Sequence, residues 1–260
     1  MRILAIGDIV GRPGRRAVSE FLPGLMAELE PDFVIANAEN ASGGAGINQE
    51  TAAAIFDAGV DALTMGNHVW SNRDSYAYID SETRLVRPAN YPEGAPGRGY
   101  QVMLSRGGIR VGLLNLLGRT FMRAVDDPFA VGRQAVEDLQ KQSDVIIVDM
   151  HAEATSEKMA LAWFLDGQVA CVFGTHTHVP TADEQVLEGG TAYITDVGMT
   201  GPRNSIIGMR PAEIIERFRT GLPTRFEVAK GPTVLNAILV EVDESCGLAL
   251  EIRRVQRSSR

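Results

Sequence analysis

The sequence predicts an α/β fold in which helices cover a parallel or mixed β-sheet. Short apolar runs bounded by Gly, Asn and Asp alternate with segments of helical periodicity along the first two-thirds of the chain. Polar residues that could bind metal follow the ends of several of these apolar runs. The 260 residues are 45% hydrophobic, which suffices for a substantial core, and we expect a single domain over residues 1–260.

The first elements follow a βαβα order. Apolar runs predict buried strands, and the segments between them carry apolar residues three and four positions apart, as in helices that pack on a sheet. Pro13 is at the position where an N1 proline would begin the first helix. Strands are predicted at residues 2–7, 32–37 and 61–65, and helices at 13–29 and 48–58.

The alternation continues, and the chain then turns to strands with few helical stretches. The last two strand regions predict a second, partly antiparallel sheet. Residues 87–100 are rich in Pro and Gly and predict an ordered surface loop. The later strands are predicted at residues 111–116, 144–150, 169–173, 185–196 and 232–254, and the helices at 131–141 and 156–165.

Composition restricts the class of protein. The net charge of -8 and the pI of about 5.1 exclude a protein that coats nucleic acid, although bound metal ions can make an acidic cleft attractive to small anions. The N-terminus has no signal-peptide pattern, and no apolar run is long enough to span a bilayer. Two cysteines do not make a disulfide framework, and Cys171 is expected to be an inert core thiol. We therefore expect a cytoplasmic protein without a membrane partner.

All four histidines lie at or just beyond the carboxyl end of a predicted strand: His68, His151, His176 and His178. In open α/β sheets these ends line the crevice where ligands bind, so residues far apart in sequence can converge there. The His176-x-His178 spacing lets two imidazoles reach adjacent positions around one metal ion or a pair of ions. One such histidine is ordinary, but several in equivalent places indicate metal binding.

Residues with oxygen donor atoms also follow the carboxyl ends of predicted strands. Asp8 ends the first strand, Glu39 and Asn40 follow the second, and Asn67 follows the third. Each could instead cap a helix. As a set with the imidazoles, they form a mixed nitrogen and oxygen environment that favours iron, manganese or zinc over calcium. Candidate hydrogen-bond partners for the imidazoles are Asp149, Asp183 and Asp196, with helix capping or surface exposure as the alternative for each.

The order of these segments resembles the five-block signature of calcineurin-like metallophosphoesterases. It is most similar to a small bacterial branch that acts on phosphodiesters, including 2',3'-cyclic nucleotides. The resemblance implies a four-layer α/β/β/α sandwich of two mixed sheets. It rests on Gly7-Asp8, the acidic Glu39, Gly66-Asn67-His68, His151 and Gly174-Thr-His-Thr-His178, and within the branch on Gly7-Asp-Ile-Val-Gly-Arg-Pro-Gly14, Ala38-Glu-Asn-Ala-Ser42 and Thr195-Asp-Val-Gly-Met-Thr-Gly-Pro202.

Two positions depart from the wider superfamily, which usually has a histidine two residues after the first aspartate and an aspartate in the second block. Here Val10 and Glu39 stand there. The resemblance then implies that Glu39 bridges two ions and that Asn40 replaces the missing histidine. One ion would be bound by Asp8, Glu39, Asn40 and His178, and the other by Glu39, Asn67, His151 and His176.

The resemblance also implies the reaction. Two ions about 3.5 to 4 Å apart would activate a bridging hydroxide for attack on phosphorus. Iron is the expected metal, with manganese or zinc as alternatives. Because Asn67 is the ligand in Gly66-Asn67-His68, we expect the neighbouring His68 to reach over the substrate and protonate the leaving group, although it could instead be a terminal ligand or pack against Trp70. The expected partner is a small phosphate ester, a nucleotide, and a homo-oligomer is left open.

Two other hypotheses compete. An amidohydrolase-type (β/α)8 barrel usually carries His-x-His on its first strand, whereas here this pair comes late and the first strand ends in Asp8. A noncatalytic regulatory protein could keep the metal site for stability or partner binding. Such a site has no need of the additional histidine His68, which favours an enzyme.

Overall fold

A computed structural model describes residues 1–259, and the apolar runs form two β-sheets with helices between successive strands. The helices are α1 (Gly11–Leu29), α2 (Gln49–Asp57), α3 (Tyr76–Ser81), α4 (Pro128–Leu139), α5 (Thr155–Phe164) and α6 (Pro211–Thr220). The strands are β1 (Arg2–Ile6), β2 (Asp8–Ile9), β3 (Phe33–Asn37), β4 (Ala62–Thr64), β5 (Leu85–Val86), β6 (Tyr100–Leu104), β7 (Arg110–Leu117), β8 (Val145–His151), β9 (Cys171–Thr175), β10 (Gln185–Val186), β11 (Ala192–Ile194), β12 (Met199–Pro202), β13 (Thr233–Asp243) and β14 (Leu248–Ser258).

Both sheets are mixed. The first has the order β2-β12-β13-β1-β3-β4-β5, with β14 paired to β13, and the second has the order β10-β11-β9-β8-β7-β6. Strands β1, β3, β4 and β5 run parallel, as do β7, β8, β9 and β11. The parallel strands therefore present their carboxyl ends, and the turns that follow them, at one edge of each sheet.

Three apolar layers show how the sheets and helices stack. The middle layer joins the two sheets, with Ile35 of the first sheet and Phe173 of the second in one cluster. On the outer face of the first sheet, Leu22 of α1 belongs to a second cluster, and on the outer face of the second sheet Leu161 of α5 belongs to a third. The order is helix, sheet, sheet, helix, which confirms the predicted four-layer sandwich.

The last strands do not form a separate sheet, contrary to the prediction. Strand β11 pairs with β9 in the second sheet, while β13 pairs with β1 in the first. Most of β13 is buried, and a strand that is apolar on both faces can enter either sheet. Its periodicity predicts a buried strand but does not identify the neighbour.

Three helices and one loop differ from the prediction in detail. Helix α1 begins at Gly11, so Pro13 is its third residue and not its first. The sequence pattern predicts neither α3 nor α6. Residues 87–99 form a loop as predicted, but Arg87 and Asn90 within it are buried and not at the surface, and Tyr100 begins β6. None of the helices within residues 1–259 combines the length and the apolar character that crossing a bilayer requires.

Candidate metal centre

The turns that follow strands of both sheets bring the eight predicted site residues to one place. Asp8 lies in β2, directly after β1, and the other first-sheet residues follow β3 and β4. His151 is the last residue of β8, and the His-x-His pair follows β9. The sheets stack face to face, and the carboxyl ends of their parallel strands meet at one edge of the sandwich. Side chains up to 170 positions apart therefore become neighbours, as for Asp8 and His178.

One group of side chains surrounds the Nε2 atom of His151. This nitrogen lies 3.1 Å from Oε1 of Glu39, 3.1 Å from Oδ1 of Asn67 and 3.1 Å from Nδ1 of His176. Possible ligand atoms of Glu39, His151 and His176 all lie within 4.8 Å of one another. Two nitrogens and two oxygens thus face the same small space.

A second group adjoins it. Nε2 of His178 lies 3.8 Å from Oδ1 of Asp8 and 3.1 Å from Nδ2 of Asn40. The Asn40 amide is also 3.3 Å from Oε1 of Glu39. Glu39 therefore lies between the two groups, as expected of a residue that would bind two ions.

Three imidazoles direct one N–H away from this space. The hydroxyl of Thr175 donates to Asp149 over 2.7 Å, so it must accept from Nδ1 of His151, 2.8 Å away. Nδ1 of His178 donates to the carbonyl of Ile207 over 2.8 Å.

The third imidazole follows the same rule. Nε2 of His176 is 3.1 Å from the Glu153 carboxylate, to which it donates. In each neutral ring the other nitrogen then carries a lone pair that faces the site. This is how metal-binding histidines are oriented in proteins.

The carboxylates are buried without a permanent cation. Asp8 is 0% exposed and Glu39 is 1% exposed, and within residues 1–259 their only ion-pair partners are imidazoles. Burial raises the pKa of Asp8. Burial acts the same way on Glu39, but the contact with His151 outweighs it and lowers the pKa of Glu39 to about 2. Buried negative charge is costly unless a cation compensates it, so the site suits a metal ion.

The imidazole pKa values reflect the same crowding. Burial lowers the pKa of His151, but the Glu39 charge outweighs burial and raises it to about 9. Burial and repulsion from His151 lower the pKa of His176 to about 3, which keeps that ring neutral and able to bind metal. A cation that enters the site would displace the proton held between His151 and Glu39.

The backbone accommodates this density of side chains. A Cβ atom at Gly66 would overlap the ring of His151 and the Glu39 carboxylate, so only glycine fits there. His176 and His178 have φ values of 98° and 66°, a region that side chains with a Cβ seldom adopt. Such strain is typical of functional sites.

His68 lies beside the two groups. Its backbone N–H donates to Oε2 of Glu39 over 2.7 Å, and its ring nitrogen Nδ1 is 3.3 Å from the Ser71 hydroxyl. The turn is supported by Trp70, which packs edge-on against Tyr76 and Tyr91 with ring centroids 5.4 and 5.6 Å away. The half-buried His68 ring is thus placed by the turn that carries Asn67.

Sequence reasoning missed several residues around the site. Glu153, Thr175 and the carbonyl of Ile207 orient the imidazoles, and nothing in their local sequence marks them. Of the three aspartates proposed as imidazole partners, Asp149 acts through Thr175. Asp196 instead pairs with Lys158, and Asp183 accepts from Thr195. A cavity of about 290 Å³ beside the site is lined by Asn67, Phe121, Met122, Arg123 and His176.

Comparisons with known proteins agree with this architecture. A sequence model described as "YmdB-like protein" matches residues 4–255. The 2',3'-cyclic-nucleotide 2'-phosphodiesterase of Bacillus subtilis is 47% identical over 255 residues, covering 98% of this chain and 96% of its own. A crystal structure of a hypothetical Thermus thermophilus protein is 42% identical, with a TM-score of 0.94 and all of both chains covered. A crystal structure of a novel phosphatase from Mycoplasma pneumoniae is 35% identical, with a TM-score of 0.93 and 99% and 93% coverage.

Proposed function

Since the chain belongs to the YmdB-like family, which is of the metallophosphoesterase type, we propose that it is a metal-dependent phosphodiesterase that hydrolyses 2',3'-cyclic nucleotides. The related B. subtilis protein is named for that reaction and matches along nearly its whole length. The residues that carry the chemistry are proposed from the geometry of this chain.

The observation that best supports the proposal is the orientation of the three imidazoles. His151, His176 and His178 each donate one N–H outward, so that the second ring nitrogen of each faces Glu39 or Asp8. A hydrogen-bonded core histidine needs no such shared direction. Three rings and two buried carboxylates that all face one space form a donor set for hard or borderline divalent cations.

We assign the ligands as two sets that share Glu39. Asp8, Asn40 and His178 would hold one ion with Glu39, and Asn67, His151 and His176 would hold the other. When bound, such ions neutralise charge on the phosphoryl oxygens and acidify a water molecule. Iron is the proposed metal, and manganese or zinc would suit the same donors.

The protein itself contributes orientation and a proton. The buried first sheet fixes Asp8 and Glu39, and the hydrogen bonds of the three imidazoles fix their ring planes, so little reorganisation is needed during the reaction. We assign His68 as the group that protonates the leaving ribose oxygen. Its ring is half-buried at the rim, and its neighbour Asn67 faces the ion site.

The test compares ester classes with the wild-type protein. Purified protein of measured metal content is incubated with 2',3'-cyclic AMP and with a nucleoside monophosphate. We expect the cyclic diester to be opened to a monophosphate, with a higher kcat/KM than for removal of phosphate from the monoester. A preference for the monoester would contradict diester specificity. Inactivity on all esters with iron, manganese and zinc would favour the noncatalytic regulatory alternative.

A further inference from the structure

The segment that joins β7 to α4, residues 118–127, borders the candidate metal centre and is firmly held at its base. Gly118 donates from its backbone to the carbonyl of His151 over 3.0 Å. The Glu157 carboxylate accepts from the backbone N–H groups of Arg119 and Thr120, at 2.9 and 3.2 Å. At the other end, Asp126 donates to the Asn90 carbonyl over 3.0 Å. We call this segment the rim loop.

The tip of the rim loop presents an aromatic ring to solvent. Phe121 is 91% exposed and has a φ of 61°. An exposed ring forgoes the free energy of burial, and a bulky side chain in the left-handed region adds backbone strain. Both unfavourable features occur at Phe121, which lines the cavity beside Asn67 and His176. Strain of this kind beside a site suggests a role in binding.

The same tip presents a free positive charge. Arg123 is exposed and lines the cavity, and no described carboxylate lies within ion-pair distance of its guanidinium. By contrast, Arg119 at the base of the loop pairs with Asp127 at 3.4 Å. In a chain of net charge -8, an unpaired guanidinium beside the proposed ions is suited to an anionic ligand.

The cavity suits a small ligand. Its volume of about 290 Å³ is at the lower end of the range for small-molecule sites, and its walls combine an aromatic face, a thioether, a guanidinium and two proposed metal ligands. A single nucleotide offers matching chemistry, because its base has an apolar face and its phosphate is anionic.

We propose that the rim loop is the nucleotide-recognition element, in which Phe121 stacks on the base and Arg123 contacts the phosphate. This inference rests on the proposed function, since it places the reacting phosphate at the candidate metal centre. Stacking on one aromatic face tolerates different bases, so the proposal predicts weak discrimination among adenine, guanine, cytosine and uracil.

The experiment separates the two roles by using two substrates. One is 2',3'-cyclic AMP, and the other is the methyl riboside 2,3-cyclic phosphate, which has the same reacting group and no base. For Phe121→Ala we expect KM for the cyclic nucleotide to rise at least about fivefold with kcat little changed, and no change with the base-free substrate. Phe121→Trp keeps an aromatic ring at this position and should therefore have the wild-type KM.

Arg123→Gln should behave differently. Because its proposed partner is the phosphate, KM should rise about tenfold or more for both substrates. The matched controls are Phe218→Ala, which removes an 85% exposed ring from α6, and Arg253→Gln on β14. Neither residue lines the cavity, and both controls should behave as wild type.

The outcomes distinguish the two proposals. If wild-type protein hydrolyses both substrates and Phe121→Ala changes their KM values equally or not at all, base stacking is wrong while the proposed function stands. If Arg123→Gln leaves both KM values unchanged, the phosphate contact is wrong. If wild-type protein hydrolyses neither substrate, the proposed function itself has failed.

Discussion

At the residue scale, Gly66 shows how little free space the candidate centre has. A methyl group there would overlap the His151 ring and the Glu39 carboxylate, two of the proposed ligands. We predict that Gly66→Ala displaces these side chains and reduces bound metal and diester turnover by at least about tenfold, while the far-ultraviolet circular dichroism spectrum stays that of the wild type.

The control for this substitution is Gly24→Ala. Gly24 lies within α1, where an added Cβ would meet no atom within 4 Å. Alanine is favoured over glycine in a helix by about 1 kcal/mol, so this variant should keep its metal and be as stable as wild type or more so. Full metal occupancy in Gly66→Ala would show that the proposed ligands are not where the metal binds.

Glu39 and Asn40 provide a second residue-scale prediction. Glu39→Gln removes the charge that the two ligand sets share, so it should reduce total bound metal more than the loss of any terminal ligand. Asn40→Ala should empty mainly the set that contains Asp8 and His178, because Val10 offers no replacement. Metal analysis by mass spectrometry gives both stoichiometries. If the Glu39→Gln variant still bound two ions per chain, the assignment of Glu39 as the bridging ligand would be wrong.

His68 provides a third prediction, based on leaving groups. A ribose alkoxide leaves poorly without a proton, whereas nitrophenolate leaves readily, and a positioned acid contributes about 10²- to 10⁴-fold. His68→Ala should therefore retain its metal, lose most turnover of 2',3'-cyclic AMP and lose much less with an aryl phosphodiester. Equal losses on both substrates, or loss of metal, would exclude this role.

At the scale of secondary-structure elements, a buried ion pair connects α5 to the His176-x-His178 turn. Lys158 of α5 donates to Asp196 over 2.7 Å, and both side chains are 0% exposed. The same carboxylate accepts from the backbone N–H and the hydroxyl of Thr177, at 3.1 and 2.8 Å. Asp196 therefore fixes the position of Thr177, which lies between the proposed ligands His176 and His178.

We predict that Lys158→Met destabilises the protein by about 3–5 kcal/mol, because it leaves the Asp196 charge buried without a cation. Urea unfolding monitored by circular dichroism measures this change. Lys141→Met is the control, since Lys141 pairs with Asp138 at 2.9 Å on the surface, where such pairs contribute less than about 1 kcal/mol. A loss below about 1 kcal/mol for Lys158→Met would mean that the pair does not stabilise the turn.

Individual elements also show what local sequence can predict. The strand ends that carry Asp8, Asn67 and His151 were identifiable because an apolar run followed by a polar residue is a local signal. The pairing of β13 with β1 and of β11 with β9 was not, because an apolar strand fits several neighbours.

The rest of the site depends on tertiary structure. Glu153 and Thr175 orient the imidazoles only after two sheets have stacked. The exposed ring of Phe121 lies in a loop with a left-handed backbone at that residue, and the loop is anchored by Glu157, which is distant in sequence. No periodicity in the sequence indicates either arrangement, so these residues could be found only from the structure.

At the scale of the whole molecule, the sandwich and the site depend on each other. The apolar layer between the sheets sets their spacing. That spacing places the carboxyl ends of β1, β3 and β4 beside the carboxyl ends of β8 and β9. The organisation of residues 1–260 as one domain and a cytoplasmic location stay predictions, and the oligomeric state stays open. The central claim is that this shared edge is a metal-dependent diesterase centre.

The measurement that tests this claim most directly is turnover of 2',3'-cyclic AMP as a function of metal bound per chain. Chelated protein is titrated with iron(II), manganese(II) or zinc(II), and bound metal and rate are recorded together. The account predicts negligible turnover without metal and a rate that rises until two ions are bound. Undiminished turnover by metal-free protein, or none by protein loaded with two ions of each metal in turn, would contradict it.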